Sequence, residues 1–325
     1  MKKRPFKPFG EVSALTLGGG GLGQVWGKTT RKEAVATVNL ALQEGINHFD
    51  VAPMYGKGEA EKVLGEAFKG QRLDGLNFTT KCSLGSLADK QVYDRLNFSL
   101  TKSLENMNME KVNLFLLHSQ LREDDFELSN FNEMREKNST SLSSYFNAVI
   151  PAFEKLKREG KIDHWGIGGL GQNKALIKAI NHERSPEAIQ CVLNPLNSAG
   201  AIGYVDENFD PKLILKECQK NNLPILSIRA VQAGALTGKM DRKPHSSGFD
   251  QKDFDDYLRA APFRELATNW DESPASLAHR YSLSVSRVGS VILGVKNRVE
   301  LKECIEAEKK GKLTTEQFNT IKNLF

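Results

Sequence analysis

The chain has 325 residues, 39% of them hydrophobic and 26% charged, and its formal net charge is +5. This size predicts one large α/β domain or two smaller ones, and the sequence has no apolar run long enough to span a membrane. Much of the positive charge lies in the opening MKKRPFKPFG, which predicts a flexible basic tail over residues 1–10 rather than a nucleic-acid surface. That opening also lacks the apolar stretch of a signal peptide.

The four cysteines are scattered and have no C-x-x-C spacing, which argues against a disulfide framework and against a metal site. They favour reduced thiols in a cytoplasmic protein. They are Cys82, Cys191, Cys218 and Cys304.

Short apolar runs alternate with longer amphipathic segments from one end of the chain to the other. The apolar runs predict eight strands, in chain order Ala14–Leu17, His48–Val51, Leu76–Lys81, Val112–His118, His164–Gly168, Ala188–Leu193, Pro224–Arg229 and Ser290–Gly294. This βαβα rhythm predicts a (β/α)₈ TIM barrel as a single domain over residues 1–325. Unusually long loops follow the fourth and seventh strands, at the face where a barrel keeps its active site.

A glycine-rich stretch, LTLGGGGLGQVWG, follows the first predicted strand and matches G-x-G-x-x-G, and Asp50 closes the next apolar run. A Rossmann unit needs a helix that begins at the third glycine, but Gly23 is followed by QVWGKTT, and helical periodicity starts only later. The pattern therefore favours a glycine-rich loop with room for a ligand near the backbone. Trp26 either walls a pocket there or is a partly buried loop aromatic.

Polar side chains stand at the ends of three successive strands, in HFDVAPMYG, FTTKCS and LFLLHS. In a barrel these ends converge on one mouth, which brings Asp50, Tyr55, Lys81 and His118 together. A tyrosine has a pKa near 10, and a nearby ammonium group stabilises its phenolate. The set predicts a metal-free site in which Tyr55 protonates a carbonyl oxygen, Lys81 and Asp50 support it, and His118 orients the substrate.

The stretch GINHFDVAPMYGKGEAEKVLG, with TTKCS and LLHS, resembles the aldo-keto reductase family. The resemblance implies a (β/α)₈ barrel, a nicotinamide cofactor, and Asp50, Tyr55, Lys81 and His118 as the catalytic tetrad. It also implies that Gln190 binds the nicotinamide carboxamide, that AGALTGK lies over the pyrophosphate, and that ILGVKNRVELKEC cradles the adenosine phosphate.

Two departures from the family pattern lie near the nicotinamide. GIGGLG replaces a polar pair after strand five, so Gly168 and Gly169 offer only backbone there. SIRAVQ lacks the usual stacking tyrosine, which leaves Ile228 or Arg229 in its place.

The adenosine end gives opposing signals about the cofactor. Lys296 and Arg298 favour the 2′-phosphate of NADP(H), whereas Glu300 disfavours it. The sequence leans towards NADP(H), with NAD(H) as the alternative. The residues predicted to contact the cofactor are Gly19, Gly20, Asp50, Gly168, Gly169, Gln190, Ile228, Arg229, Ala230, Gln232, Gly234, Leu236, Gly238, Lys239, Gly294, Lys296, Arg298 and Glu303.

The leading functional prediction is an oxidoreductase that reduces an aldehyde or ketone to an alcohol. The predicted substrate pocket consists of Trp26, Met54, Tyr55 and His118. An aldose 1-dehydrogenase running oxidatively is an alternative within the same class, and a nicotinamide-binding redox sensor is an alternative from another class. The predicted partner is a small carbonyl or alcohol, with neither nucleic acid nor membrane. The sequence does not predict an oligomeric state.

Overall fold

The computed structural model describes residues 1–126, 136–206 and 208–325. Its strands are β1 Lys3–Phe6, β2 Gly10–Ser13, β3 Leu15–Gly18, β4 His48–Asp50, β5 Asn77–Cys82, β6 Val112–Leu117, β7 Gln120–Arg122, β8 Ser139–Ser141, β9 Ile162–Gly168, β10 Ala188–Val192, β11 Ile225–Ile228 and β12 Val288–Leu293. Eight of these described strands close a parallel barrel in the order β3-β4-β5-β6-β9-β10-β11-β12. The predicted TIM barrel is confirmed, and each predicted barrel strand lies within two residues of an observed one.

Helices cover the outside of the barrel. They are α1 Gly19–Leu22, α2 Arg31–Gln43, α3 Glu59–Ala67, α4 Asp89–Met107, α5 Leu142–Ser144, α6 Ile150–Arg158, α7 Asn173–Ile180, α8 Pro211–Lys220, α9 Gln251–Arg259, α10 Ala261–Asn269, α11 Pro274–Ser284, α12 Arg298–Lys310 and α13 Thr315–Lys322. A π-helical turn, Tyr145–Val149, joins α5 to α6. Within the described ranges, no helix combines the length and the apolar character needed to cross a bilayer.

The basic opening segment forms structure rather than the flexible tail that its composition predicts. β1 pairs with β2 in an antiparallel hairpin, and Phe6 is only 2% exposed. The Arg4 guanidinium donates hydrogen bonds to the carbonyls of Leu283 (3.0 Å) and Val288 (3.2 Å). Charge suggested solvation here, but the apolar side chain of Phe6 and the reach of arginine dock the hairpin onto the barrel.

Side chains on the barrel strands alternate between the interior and the surrounding helices. A polar layer lies inside the barrel, where the two ring nitrogens of buried His48 contact the hydroxyls of Thr16 and Thr79, each at 2.8 Å. Asp50 lies two residues further along the same strand and therefore on the same face. The strand period thus places Asp50 inside the barrel at its C-terminal end.

Two long loops rise from the C-terminal face. The first follows β6 and contains the short parallel pair β7–β8, but its residues 127–135 lie outside the described part of the chain. The second, residues 229–250, joins β11 to α9. Two helices, α9 and α10, follow this second loop, and Pro262 near the start of α10 has no amide hydrogen to donate to the preceding turn.

Candidate active site

Asp50, Lys81 and Tyr55 meet at the C-terminal end of the barrel. The Lys81 ammonium donates to Asp50 Oδ1 at 2.5 Å, to the carbonyl of Val51 at 2.9 Å and to the Tyr55 hydroxyl at 3.5 Å. Lys81 is 1% exposed and Asp50 is 2% exposed, so this ion pair is fully buried. The predicted convergence of these side chains is therefore observed, with Lys81 as the link between Asp50 and Tyr55.

Burial and charge act in opposite directions on these groups. Burial alone would lower the pKa of Lys81, but the attraction of Asp50 and Tyr55 outweighs it and the pKa of Lys81 is raised. Burial raises the pKa of Tyr55, and the charge of Lys81 works against that rise. Lys81 is thus held as a cation, and its charge favours the phenolate of Tyr55, as the sequence predicts, without cancelling the effect of burial.

His118 completes the set. Its ring stands edge-on to that of Tyr55, with the centroids 6.0 Å apart and an interplanar angle of 89°. Burial, with a smaller contribution from the charge of Lys81, lowers the pKa of His118 to about 3. The imidazole is therefore neutral at ordinary pH and has one N–H that it can donate to a substrate oxygen.

Gln190 supports Asp50 in this structure. Its side-chain N–H donates to Asp50 Oδ2 at 2.7 Å, so both oxygens of that carboxylate are engaged. The sequence assigned Gln190 to a nicotinamide carboxamide and did not predict this contact, which joins residues 140 positions apart. The one signal for this contact is the position of Gln190 on β10, where the alternation of side chains along the strand places it inside the barrel.

The glycine-rich stretch, whose Gly19–Leu22 forms the short helix α1 rather than the predicted loop, packs against the end of β12. A Cβ at Gly21 would lie 1.8 Å from the carbonyl oxygen of Val295, and one at Gly20 would lie 2.5 Å from Nε1 of Trp26. A Cβ at Gly19 would meet the side chain of Val51 at 2.8 Å. Glycine is thus required here by contacts within the protein, whereas the sequence had suggested space for a ligand.

Trp26 and Met54 flank this region. The indole nitrogen of Trp26 would lie 3.0 Å from a Cβ at Gly294, so the indole lies beside both that glycine, which stays exposed, and the glycine-rich stretch. The Met54 side chain is 58% exposed. Of the four residues predicted for the substrate pocket, the tetrad members Tyr55 and His118 contact each other, and the other two stand on the loops after β3 and β4.

The glycines after strand five differ in the space around them. A Cβ at Gly168 would meet only the carbonyl oxygen of Leu117, at an ordinary 3.5 Å, whereas one at Gly169 would lie 2.6 Å from the carbonyl oxygen of Gln190. Gly168 is paired with Gln190 in the barrel register. A small side chain would therefore fit at Gly168, beside the amide that holds Asp50, but not at Gly169.

Side chains at the start of the loop after β11 are bound within the protein. The buried Arg229 guanidinium forms an ion pair with Asp253 and donates to Gln232 Oε1 at 3.0 Å. The Gln232 amide in turn donates to Asp256 at 2.7 Å. The sequence offered Arg229 or Ile228 as a nicotinamide platform; Ile228 is half-buried at the end of β11.

The rest of this loop changes from buried to exposed along its length. Ala230 and Leu236 are buried, Gly234 has φ +97°, and Gly238 and Lys239 are exposed. A Cβ at Gly238 would meet no atom within 4 Å. The exposed end of the AGALTGK segment is therefore the part with free space around its backbone.

The two cations predicted at the adenosine end are both paired with carboxylates. Lys296 contacts Asp241 and also Glu300, the latter at 3.0 Å. Arg298 forms a two-pronged contact with Glu33, at 2.9 and 3.1 Å. Glu303, five residues after Arg298 on α12, accepts a hydrogen bond from the hydroxyl of Ser273, the N-cap residue of α11. Asp241 and Glu33 come from distant parts of the chain, and sequence reasoning missed them.

Comparison with known proteins identifies the family. The sequence profile of the Aldo/keto reductase family matches residues 14–325. The chain belongs to the aldo/keto reductase family. It is 26% identical to the L-galactose dehydrogenase of Arabidopsis thaliana over 91% of this chain and 84% of that protein. It is 24% identical to the uncharacterized oxidoreductase YqkF of Bacillus subtilis, over 96% of this chain and 94% of that protein.

A solved structure shows the same fold. The aldo-keto reductase AKR11C1 from Bacillus halodurans, in its holo form, superimposes with a TM-score of 0.73 at 22% identity, covering 100% of this chain and 96% of that one. Aldo/keto reductases are oxidoreductases that use nicotinamide cofactors, and small carbonyl compounds suit the family as substrates. The family predicted from HFDVAPMYG, TTKCS and LLHS is confirmed.

Proposed function

We propose that this aldo/keto reductase interconverts a small aldehyde or ketone and its alcohol with NAD(P)(H), and that Tyr55 is the proton donor. The observation that carries the proposal is the buried chain of contacts from Asp50 through Lys81 to the Tyr55 hydroxyl. A phenol is a weak acid at neutral pH, and an ammonium group within reach favours its deprotonated form. This arrangement supplies what a proton-transferring tyrosine needs.

Each tetrad residue has a distinct role in the proposal. Tyr55 gives its proton to the carbonyl oxygen, and the Lys81 charge stabilises the phenolate that remains. Asp50 keeps Lys81 charged and fixes its direction. His118, being neutral, donates a hydrogen bond to the same carbonyl oxygen and orients it.

The planar nicotinamide ring would lie beside the backbone of Gly168, where a Cβ would meet only the carbonyl oxygen of Leu117, at 3.5 Å. The bound cofactor supplies the hydride that the carbonyl carbon accepts. Gln190 would hold the carboxamide through its amide oxygen and its second N–H, because its first N–H is donated to Asp50. The exposed part of AGALTGK and the segment from Gly294 to Glu303 would hold the pyrophosphate and the adenosine.

The test is Tyr55→Phe, with Tyr93→Phe as the matched control. The Tyr93 hydroxyl contacts Glu159 on the outside of the barrel, so its loss leaves the site intact. Tyr55→Phe should lower turnover of a generic aldehyde by about 10²–10⁴-fold, the usual contribution of general acid catalysis, and leave cofactor affinity nearly unchanged. A Tyr55→Phe enzyme that keeps more than about half of its activity would exclude this role for Tyr55.

Oxidation of a sugar at its first carbon is a second candidate. It is favoured by the similarity to a protein named L-galactose dehydrogenase, which extends over 91% of this chain. The same tetrad serves this direction, with Tyr55 accepting the hydroxyl proton. Comparing aldose oxidation with aldehyde reduction distinguishes the two. A nicotinamide-binding redox sensor is less favoured, because a pure binding protein has no need of the buried contact between Lys81 and Tyr55.

A further inference from the structure

We infer that the adenosine end of the cofactor site selects NAD(H) over NADP(H), through Glu300 and Asp241. The inference rests on the proposed function, because it takes the segment after β12 as the place where the adenosine binds. It reverses the preference that the sequence suggested from Lys296. The reason is that Lys296 is held between two carboxylates.

Lys296 is fixed from several directions. Its ammonium contacts the Asp241 carboxylate, from the loop after β11, and Glu300 Oε1 at 3.0 Å. Its side-chain carbons lie 3.2–3.8 Å from where a Cβ at Gly27 would be, and its carbonyl accepts a hydrogen bond from Thr29 at 2.8 Å. The Lys296 side chain is only 14% exposed. The positive charge of Lys296 is therefore already paired within the protein, and its side chain is not free to bind a phosphate.

Glu300 is equally constrained. Its Oε2 accepts the backbone N–H of Lys296 at 2.8 Å, while its own N–H donates to Asn297 Oδ1 at 3.0 Å. Asn297 caps the N-terminus of α12, so Glu300 belongs to the capping structure of that helix. Moving this carboxylate away to admit a phosphate would break a backbone hydrogen bond and disturb the start of the helix.

Arg298 offers no compensation. Glu33 of α2 binds its guanidinium through both carboxylate oxygens and accepts its backbone N–H at 3.0 Å. A two-pronged contact of this kind is among the stronger pairings that arginine makes. The second cation that could bind a 2′-phosphate is thus also occupied.

The charges at this place decide the selectivity. Among the described residues of this cluster, the two cations Lys296 and Arg298 face three carboxylates, Asp241, Glu300 and Glu33. A 2′-phosphate would bring further negative charge beside these carboxylates. A free ribose has two hydroxyls that donate hydrogen bonds, and a carboxylate is their natural acceptor. The cluster therefore suits the ribose of NAD(H).

The experiment measures binding with ligands that lack the nicotinamide, so that it reports on the adenosine end alone. Isothermal titration calorimetry compares ADP-ribose with its 2′-phosphate derivative, and NADH with NADPH. The wild-type protein should bind each unphosphorylated ligand at least tenfold more tightly than its 2′-phosphate counterpart. The difference should shrink as salt is added, because the carboxylates are partly exposed and their repulsion is screened.

The variants are Glu300→Gln, Asp241→Asn and their combination. Glutamine keeps an oxygen that can accept the Lys296 N–H, so the helix start is preserved while the charge is removed. The double variant should reduce the discrimination against the 2′-phosphate by at least tenfold. The matched control is Glu306→Gln, on an exposed face of the same helix and paired only with Lys309 among the described residues; it should leave the discrimination unchanged.

Tighter or equal binding of the 2′-phosphate ligands by the wild-type protein would overturn the inference. So would an equal response of the double variant and the Glu306→Gln control. The proposed function fails separately: a protein that binds neither NADH nor NADPH would refute it and the inference with it. A protein that binds NADPH more tightly and loses turnover in Tyr55→Phe would keep the function and refute only the inference.

Discussion

Replacing Lys81 with methionine tests both the stability and the chemistry of the buried ion pair. Methionine is similar in length and lacks the charge, so the main effect is to leave the Asp50 carboxylate, 2% exposed, without its cation. Removing one partner of a buried ion pair typically costs about 3–5 kcal/mol. Asp50 keeps the hydrogen bond from Gln190 at 2.7 Å, so we expect a loss near the lower end, about 3 kcal/mol.

The dependence of that loss on pH follows from Asp50. Without Lys81, burial raises the pKa of the Asp50 carboxyl above its value in the unfolded chain, about 3.9. The folded variant then binds a proton more readily than the unfolded variant does. The stability deficit is therefore complete above the raised pKa and shrinks as the pH falls through it.

Urea unfolding at pH 8 and at pH 5 measures this deficit. The control is Lys309→Met, which breaks only an exposed pair with Glu306 and should leave the stability nearly unchanged. The combination of Lys81→Met with Asp50→Asn should be more stable than Lys81→Met alone, because it removes the unpaired charge. A Lys81→Met protein as stable as the wild type at pH 8, or a double variant less stable than the single one, would refute the reasoning. Turnover of the single variant should fall at least as far as in Tyr55→Phe.

Two further substitutions test the packing and the polar layer inside the barrel. Gly21→Ala should destabilise the protein by about 1–3 kcal/mol in urea unfolding, because its Cβ would lie 1.8 Å from the carbonyl oxygen of Val295. The control Gly238→Ala should be close to neutral, because its Cβ would have no atom within 4 Å. Equal effects of the two substitutions would contradict this account. Burial, aided by the charge of Lys81, lowers the pKa of His48 from 6.5 to about 3. Between these two pH values the unfolded state binds more protons than the folded state does. The free energy of unfolding therefore falls as the pH drops from 6.5 towards 3. His48→Gln should flatten that dependence by up to about 1.4 kcal/mol per pH unit, measured by unfolding at several pH values; an unchanged slope would show that His48 does not contribute.

The sequence determined the barrel and the place where Asp50, Lys81 and His118 come together. Eight apolar runs separated by amphipathic segments define the strands, because a strand buried on both faces must be apolar along its length and the helices between strands must be apolar on one face. The position of these three residues follows from that pattern. Asp50, Lys81 and His118 stand at or just beyond the ends of successive strands, and the ends of parallel strands in a barrel meet at one face.

Only the tertiary structure decided the partners of the charged and polar groups. The carboxylates that hold Lys296 lie 55 residues before it and four residues after it, and Gln190 reaches Asp50 across 140 residues. The sequence does not show which opposite charge will pair with a given charged residue, because the pairing depends on how distant loops pack over the barrel. The same holds for the opening hairpin. Its basic residues predict a solvated tail, but in the fold Phe6 is buried and Arg4 hydrogen-bonds to the barrel. Periodicity and strand order are local properties that the sequence states directly, whereas burial and pairing are properties of the assembled fold.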